Sequence, residues 1–134
     1  MANRDFKNFQ AAEREVKRLY MKATIGATGA PTLVAADSLG IKSIVRNTTG
    51  DYTVTFGAPS GLTDSYSKLL WADGKLLDPD AEDVRVNIDS DLVHASNPFP
   101  GIVKILTLTG GSATDPSDGA TLLMVFDVKN SSVK

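Results

Sequence analysis

The chain predicts a mainly β protein: an antiparallel β-sandwich or small β-barrel of about seven strands, preceded by a short N-terminal helix or arm. Three observations carry that expectation. In Asp51–Phe56, Tyr52, Val54 and Phe56 alternate with Asp51, Thr53 and Thr55, the period of a strand with one wet and one buried face. Ile41–Arg46 precedes it across the polar turn Asn47-Thr48-Thr49-Gly50, so the two runs read as a hairpin. Similar short runs recur along the chain between breaks rich in Gly, Pro and Asp, the spacing of packed sheets rather than of a helical bundle.

Each element follows from local chemistry. Residues 4–15 read as a short helix or arm, with Phe6 and Phe9 three apart, good helix formers over Ala11–Glu15 and Asn3 placed to cap. From Val16 the period changes: Leu19, Met21, Ala23 and Ile25 alternate with Arg18, Tyr20, Lys22 and Thr24, a strand over 16–25. Gly26–Pro31 turns, Thr32–Ala36 is a short strand candidate, and Ser38-Leu39-Gly40 leads into the hairpin. Gly57–Gly61 ends it, a helical turn is expected at 63–67, and a strand from Lys68 to Ala72 stops at the tight-turn dipeptide Asp73-Gly74. After a loop at Leu77–Asp80, Glu82–Asp89 alternates Val84, Val86 and Ile88 with Asp83, Arg85 and Asn87 as a further strand. Asp91–Gly101 is a loop, Ile102–Thr109 and Thr121–Lys129 are the last two strands, and Gly110–Gly119 reads as a long polar hairpin loop between them. The organisation is therefore an arm at 1–15, one β domain over 16–130 and a frayed end at 131–134.

The bulk composition narrows the function classes. A chain of 134 residues with 42% hydrophobic content can bury a core without staples. Cysteine is absent, which removes disulfides, thiolate metal sites and Cys nucleophiles. The net charge of −2 does not suggest a nucleic-acid partner, and no apolar run approaches the ~20 residues of a membrane span. Charge blankets Met1–Lys22, leaving no apolar signal segment in view, so synthesis in a cytosol is expected. The charge is unevenly spread: residues 1–22 carry +3 and the remainder −5, concentrated in the acids of 73–91. Either these are two solvated surfaces or they attract one another between subunits.

Catalytic signatures are weak. His94, the one histidine, sits in a polar loop with no Gly-x-Ser-x-Gly elbow and no second His to share a metal. Asp73, Asp78, Asp80, Glu82, Asp83, Asp89 and Asp91 lack calcium-loop spacing, so no metal and no cofactor are expected. Gly26-Ala-Thr-Gly29 lacks the Lys-Ser/Thr ending of a phosphate loop. Arg14, Lys17, Arg18 and Tyr20 read as a charged strand edge or helix face before they read as a phosphate site. Trp71 and Tyr66 read as core or interface aromatics before they read as a sugar platform.

An ordered set of segments resembles a known kind of protein. Asn8–Gly26 is followed by Gly29–Leu33, Leu39–Arg46, Gly50–Phe56 and Tyr66–Leu70, then by Thr114–Gly119 and Leu122–Ser131. Together they resemble small virion proteins of tailed bacteriophages, and among these the capsid decoration, or cement, proteins. The resemblance implies a non-enzymatic structural protein, bound as a homo-oligomer, with a trimer expected, to the major capsid protein. It further implies a place on the capsid exterior after assembly in the host cytoplasm, where the protein would stabilise the head shell. The alternative is a tail, baseplate or fibre-associated module that touches a host glycan through Trp71 or Tyr66. The candidate capsid- or subunit-binding residues are Phe6, Phe9, Arg14, Lys17, Arg18 and Trp71; Phe6 and Phe9 either anchor an arm that orders on contact or pack a helix onto its own domain.

Overall fold

In a computed structural model describing residues 16–58, 68–80, 83–92 and 101–129, the strand runs become nine strands in two antiparallel sheets. They are β1 (Val16–Ile25), β2 (Pro31–Leu33), β3 (Ile41–Thr48), β4 (Asp51–Phe56), β5 (Lys68–Leu77), β6 (Arg85–Leu92), β7 (Ile102–Thr109), β8 (Ser112–Ala113) and β9 (Thr121–Lys129). One sheet has the order β2-β1-β9-β5, and the other β3-β4-β7-β6 with β8 on β7. Two facing sheets make this a β-sandwich, which decides between the two expected architectures.

The alternating residues find each other across the sandwich. Leu19, Met21, Ala23 and Ile25 of β1 and Leu122, Met124, Phe126 and Val128 of β9 are buried from one side. Tyr52, Val54 and Phe56 of β4 and Val103 and Ile105 of β7 are buried from the other. Phe56 and Phe126 meet edge to face, with centroids 5.2 Å apart and planes at 67°, the arrangement the ring quadrupoles favour. Each buried Val, Leu, Ile, Phe or Met among them contributes about 1.5–3 kcal/mol by leaving water. Among the described residues Thr107 is the buried polar exception, and its hydroxyl donates to the Thr114 carbonyl at 2.6 Å.

Several sequence expectations are corrected. The short strand expected at Thr32–Ala36 is Pro31–Leu33 followed by a 3₁₀ turn at Ala35–Asp37. The strand expected at 82–89 lies at Arg85–Leu92. Gly110–Gly119 does not join a hairpin: β7 and β9 belong to different sheets, so this segment turns back as β8 and then crosses the sandwich. Asp73-Gly74 is not a turn but the middle of β5, with Gly74 opposite Met124. The reason is packing. A Cβ at position 74 would overlap the Met124 sulfur and come within 3.1 Å of Val86 Cγ1, so glycine is there to make room for a buried methionine. The expected arm at 1–15, the helical turn at 63–67, and Tyr66, His94 and the C-terminal residues 130–134 lie outside the described residues.

Candidate binding face

The outer surface of the four-stranded sheet is built by the residues that alternate with the core. β1 and β9 pair so that Arg18 faces Asp127, Tyr20 faces Val125 and Lys22 faces Leu123. β5 then adds Asp73 opposite Val125 and Lys75 opposite Leu123. These outward rows enclose a trough of about 430 Å³ along the sheet.

Trp71 reaches this face because of an irregularity in β5. Leu69 pairs with Val128 and packs against the core, so strict alternation would send Trp71 inward as well. Instead the register shifts, and Trp71 pairs with Asp127 on the outer side, leaving Leu70 as the extra residue. One extra residue re-aims every side chain after it: Ala72, Gly74 and Leu76 return to the core side opposite Phe126, Met124 and Leu122. The indole is left 61% exposed and the Tyr20 ring 45% exposed. Leu39, bridged to Tyr20 through backbone bonds of 2.8 and 3.1 Å, and Leu77 are also exposed.

The rim of the trough is charged. The Arg18 guanidinium donates to both Asp127 oxygens, from Nε at 2.8 Å and Nη2 at 3.0 Å. That contact holds the Asp127 carboxyl below the usual carboxylate range and raises Arg18. Lys22 Nζ lies 3.2 Å from Asp37, which the 3₁₀ turn delivers while Ser38 Oγ accepts from the Lys22 amide at 3.1 Å. Both pairs are exposed on at least one side, so their role is orientation more than stability.

The opposite surface of the sandwich differs. Along β4 the outward residues are Asp51, Thr53 and Thr55, facing Leu106, Lys104 and Ile102 of β7, with Lys104 Nζ 4.0 Å from Asp51. One outer face thus carries two exposed aromatic rings with a charged rim, and the other mixes threonine and charge with the aliphatic side chains of Ile102 and Leu106 and with Val45, which pairs with Thr53 and is exposed.

A polar junction closes one end of the sandwich. The Asp115 carboxylate accepts from Arg46 Nε at 3.0 Å, Arg46 Nη2 at 2.8 Å and the Gly50 amide at 2.8 Å. The Tyr52 hydroxyl donates to the Gly29 carbonyl at 2.9 Å and lies 3.4 Å from Asp115 Oδ1. Arg46 holds the Asp115 carboxyl below its ordinary range, aided by Gly50 and opposed by partial burial, while burial raises the Tyr52 phenol. Gly50 has φ +68° and a side chain there would meet the Thr107 carbonyl at 2.6 Å, so only glycine suits the turn. The Asn47–Gly50 turn is therefore pinned by Asp115 rather than free. Asp115 escaped sequence reasoning because its partners lie more than sixty residues away; the run Thr114-Asp-Pro-Ser-Asp-Gly119 marked only a loop.

Of the sequence-selected contact residues, Arg18 and Trp71 come together on the face, joined through Asp127. Lys17 pairs with Val128 and so lies on the other side of the sheet. Phe6, Phe9 and Arg14 lie outside the described residues. The acids of 73–91 spread out: Asp73 is on the face, Asp78 accepts from the Asp80 amide at 2.8 Å, and Asp83 lies 3.3 Å from Arg85. Among the described residues no group of three His, Cys, Asp or Glu side chains is placed to hold a metal ion.

Comparison with protein-family models, with curated proteins and with solved structures finds no match to this chain.

Proposed function

We propose that the protein is a non-enzymatic binding module of a phage virion, a capsid decoration protein that docks as a homo-oligomer on the major capsid protein and stabilises the head shell. The observation that supports this reading is the two-faced sandwich. Its four-stranded sheet turns Trp71 and Tyr20 outward around a floor of Leu123 and Val125, with charge at the rim, the anatomy of a protein–protein contact. Its other outer face exposes no aromatic ring among the described residues, only threonine, charge and aliphatic side chains such as Val45. The virion assignment itself comes from the sequence resemblance.

In this reading the β domain is the rigid body and residues 1–15 are the arm that meets the shell, with Phe6 and Phe9 as anchors. Several arms on one oligomer would add their contacts by avidity. The test is pelleting of purified protein with tailless shells stripped of it, together with copy counting by mass spectrometry of particles with and without tails. Decoration predicts saturable binding and a copy number comparable to that of the shell subunit. A protein that stays with tails at far lower copy number sinks the proposal.

The exposed indole beside Tyr20 supports a second reading, a tail, baseplate or fibre module that stacks a host sugar. Binding on a glycan array, lost in Trp71→Ala, would favour it.

A further inference from the structure

We infer that the outer face of the four-stranded sheet is buried against a second copy of this chain. The inference rests on the reading of that face as a protein-binding surface. It assigns the face a partner distinct from the shell, which residues 1–15 are proposed to meet.

Three features of the face lead to a copy of itself. The first is its apolar content. Leu123 and Val125 form the floor, Trp71 and Tyr20 stand over it, and Leu39 and Leu77 are exposed. Exposed aromatic rings inside a charged rim are the composition of a protein contact.

The second is charge. Arg18, Lys22 and Lys75 balance Asp37, Asp73 and Asp127 around the trough. A strongly basic or acidic partner finds no complement on such a rim. A second copy fits it: Arg18 and Lys22 are already paired with Asp127 and Asp37 on their own molecule, Lys75 of one copy can meet Asp73 of the other, and no excess of one sign is driven together.

The third is size. Three strands of nine or ten residues, at ~3.3 Å per residue and ~4.8 Å between strands with β2 at the edge, present on the order of 500 Å² in projection. Side-chain relief brings that towards the ~800 Å² per partner of an ordinary specific interface. The face is large enough for an association that dilution reverses.

Trp71 is the chain's one tryptophan and stands on the face, so it reports the contact directly. The experiment is sedimentation velocity of the full-length protein, without shells, over a wide concentration series, with tryptophan emission recorded on the same samples. The expected result is an oligomer that dissociates on dilution, with Trp71 emission moving to the red in step. Tyr20→Glu and, separately, Val125→Lys should each shift the association to at least tenfold higher concentration while circular dichroism stays that of the parent. Two different substitutions guard against one that fails to fold.

Other occupants give other outcomes. A monomer at every concentration whose Trp71 emission is blue, and turns red in Phe6→Ala/Phe9→Ala without dilution, places the chain's own arm on the face and overturns the inference. A monomer with red emission that shifts only when shells are added gives the face to the shell. That overturns self-association and leaves the decoration reading standing. An oligomer unaffected by both face substitutions also overturns it, since the contact then lies elsewhere.

Discussion

Replacing Gly74 by alanine tests the most unexpected feature of the fold, the passage of β5 straight through Asp73-Gly74. In the structure position 74 faces the core opposite Met124, which is 2% exposed, and an added methyl would overlap the methionine sulfur and crowd Val86. Overpacking of this kind costs about 1–3 kcal/mol, with the lower part of that range favoured because methionine adapts its shape. Alanine also restricts the unfolded chain, which stabilises by about 0.4–1 kcal/mol. The expected net effect is a destabilisation of about 0.5–2 kcal/mol. With a urea slope of about 2 kcal/mol/M, a central loss of 1 kcal/mol lowers the unfolding midpoint by about 0.5 M. The assay is urea unfolding followed by far-ultraviolet circular dichroism and by Trp71 emission. The diagnostic step is the second background. In Met124→Ala the added methyl has room, so Gly74→Ala should become neutral or stabilising there, a coupling within the ~0.5–3 kcal/mol seen between residues in contact. If Gly74→Ala costs the same in both backgrounds, or stabilises the parent, the contact is not the cause and the turn reading of Asp73-Gly74 returns.

Phe56→Ala removes a fully buried ring packed on Phe126 and should cost about 3–5 kcal/mol in the same unfolding assay; a negligible change would mean that this face serves something other than the core. Asp115 and Asp127 titrate below the usual carboxylate range in the folded protein, whereas unfolded aspartates titrate near ~3.9. The unfolded chain therefore binds protons first as pH falls, so the stability these groups contribute is complete above about pH 5 and is lost through pH 4 and below. Asp115→Asn should flatten that acid limb in thermal melts taken across pH, and an unchanged limb refutes the assignment. Phe6→Ala/Phe9→Ala should leave the melting curve of the β domain in place and abolish co-pelleting with shells; binding at full strength removes the arm from the proposal. Self-association through the four-stranded face should weaken at least tenfold in Tyr20→Glu and Val125→Lys, read by sedimentation.

Much of the fold was legible because a strand's period is a local property. Leu19 to Ile25 and Tyr52 to Phe56 declare their buried faces by alternation alone, and all seven of those alternating apolar residues are buried. The breaks at Gly26 and Gly57 were equally local. What the chain cannot display locally is which strand pairs with which. Ile102–Thr109 and Thr121–Lys129 look like neighbours across a polar loop, yet they lie in opposite sheets, because the Arg46, Gly50 and Thr107 contacts of residues 114–115 turn the intervening segment across the end of the sandwich.

The candidate face divides along the same line. Composition and patterning alone determined a β protein without cysteine chemistry, and Arg18 and Trp71 were among the candidate contact residues. Only the tertiary structure decided that those two share one surface while Lys17 does not, since cross-strand register sets that and a single residue of slip reverses it. The one-residue irregularity at Leu69–Trp71 turns the indole outward. Glycine at position 74 then lets β5 continue over Met124, so Asp73 and Lys75 complete the rim. Neither event has a signature in its own stretch of sequence, because the strand each is registered against lies some fifty residues away.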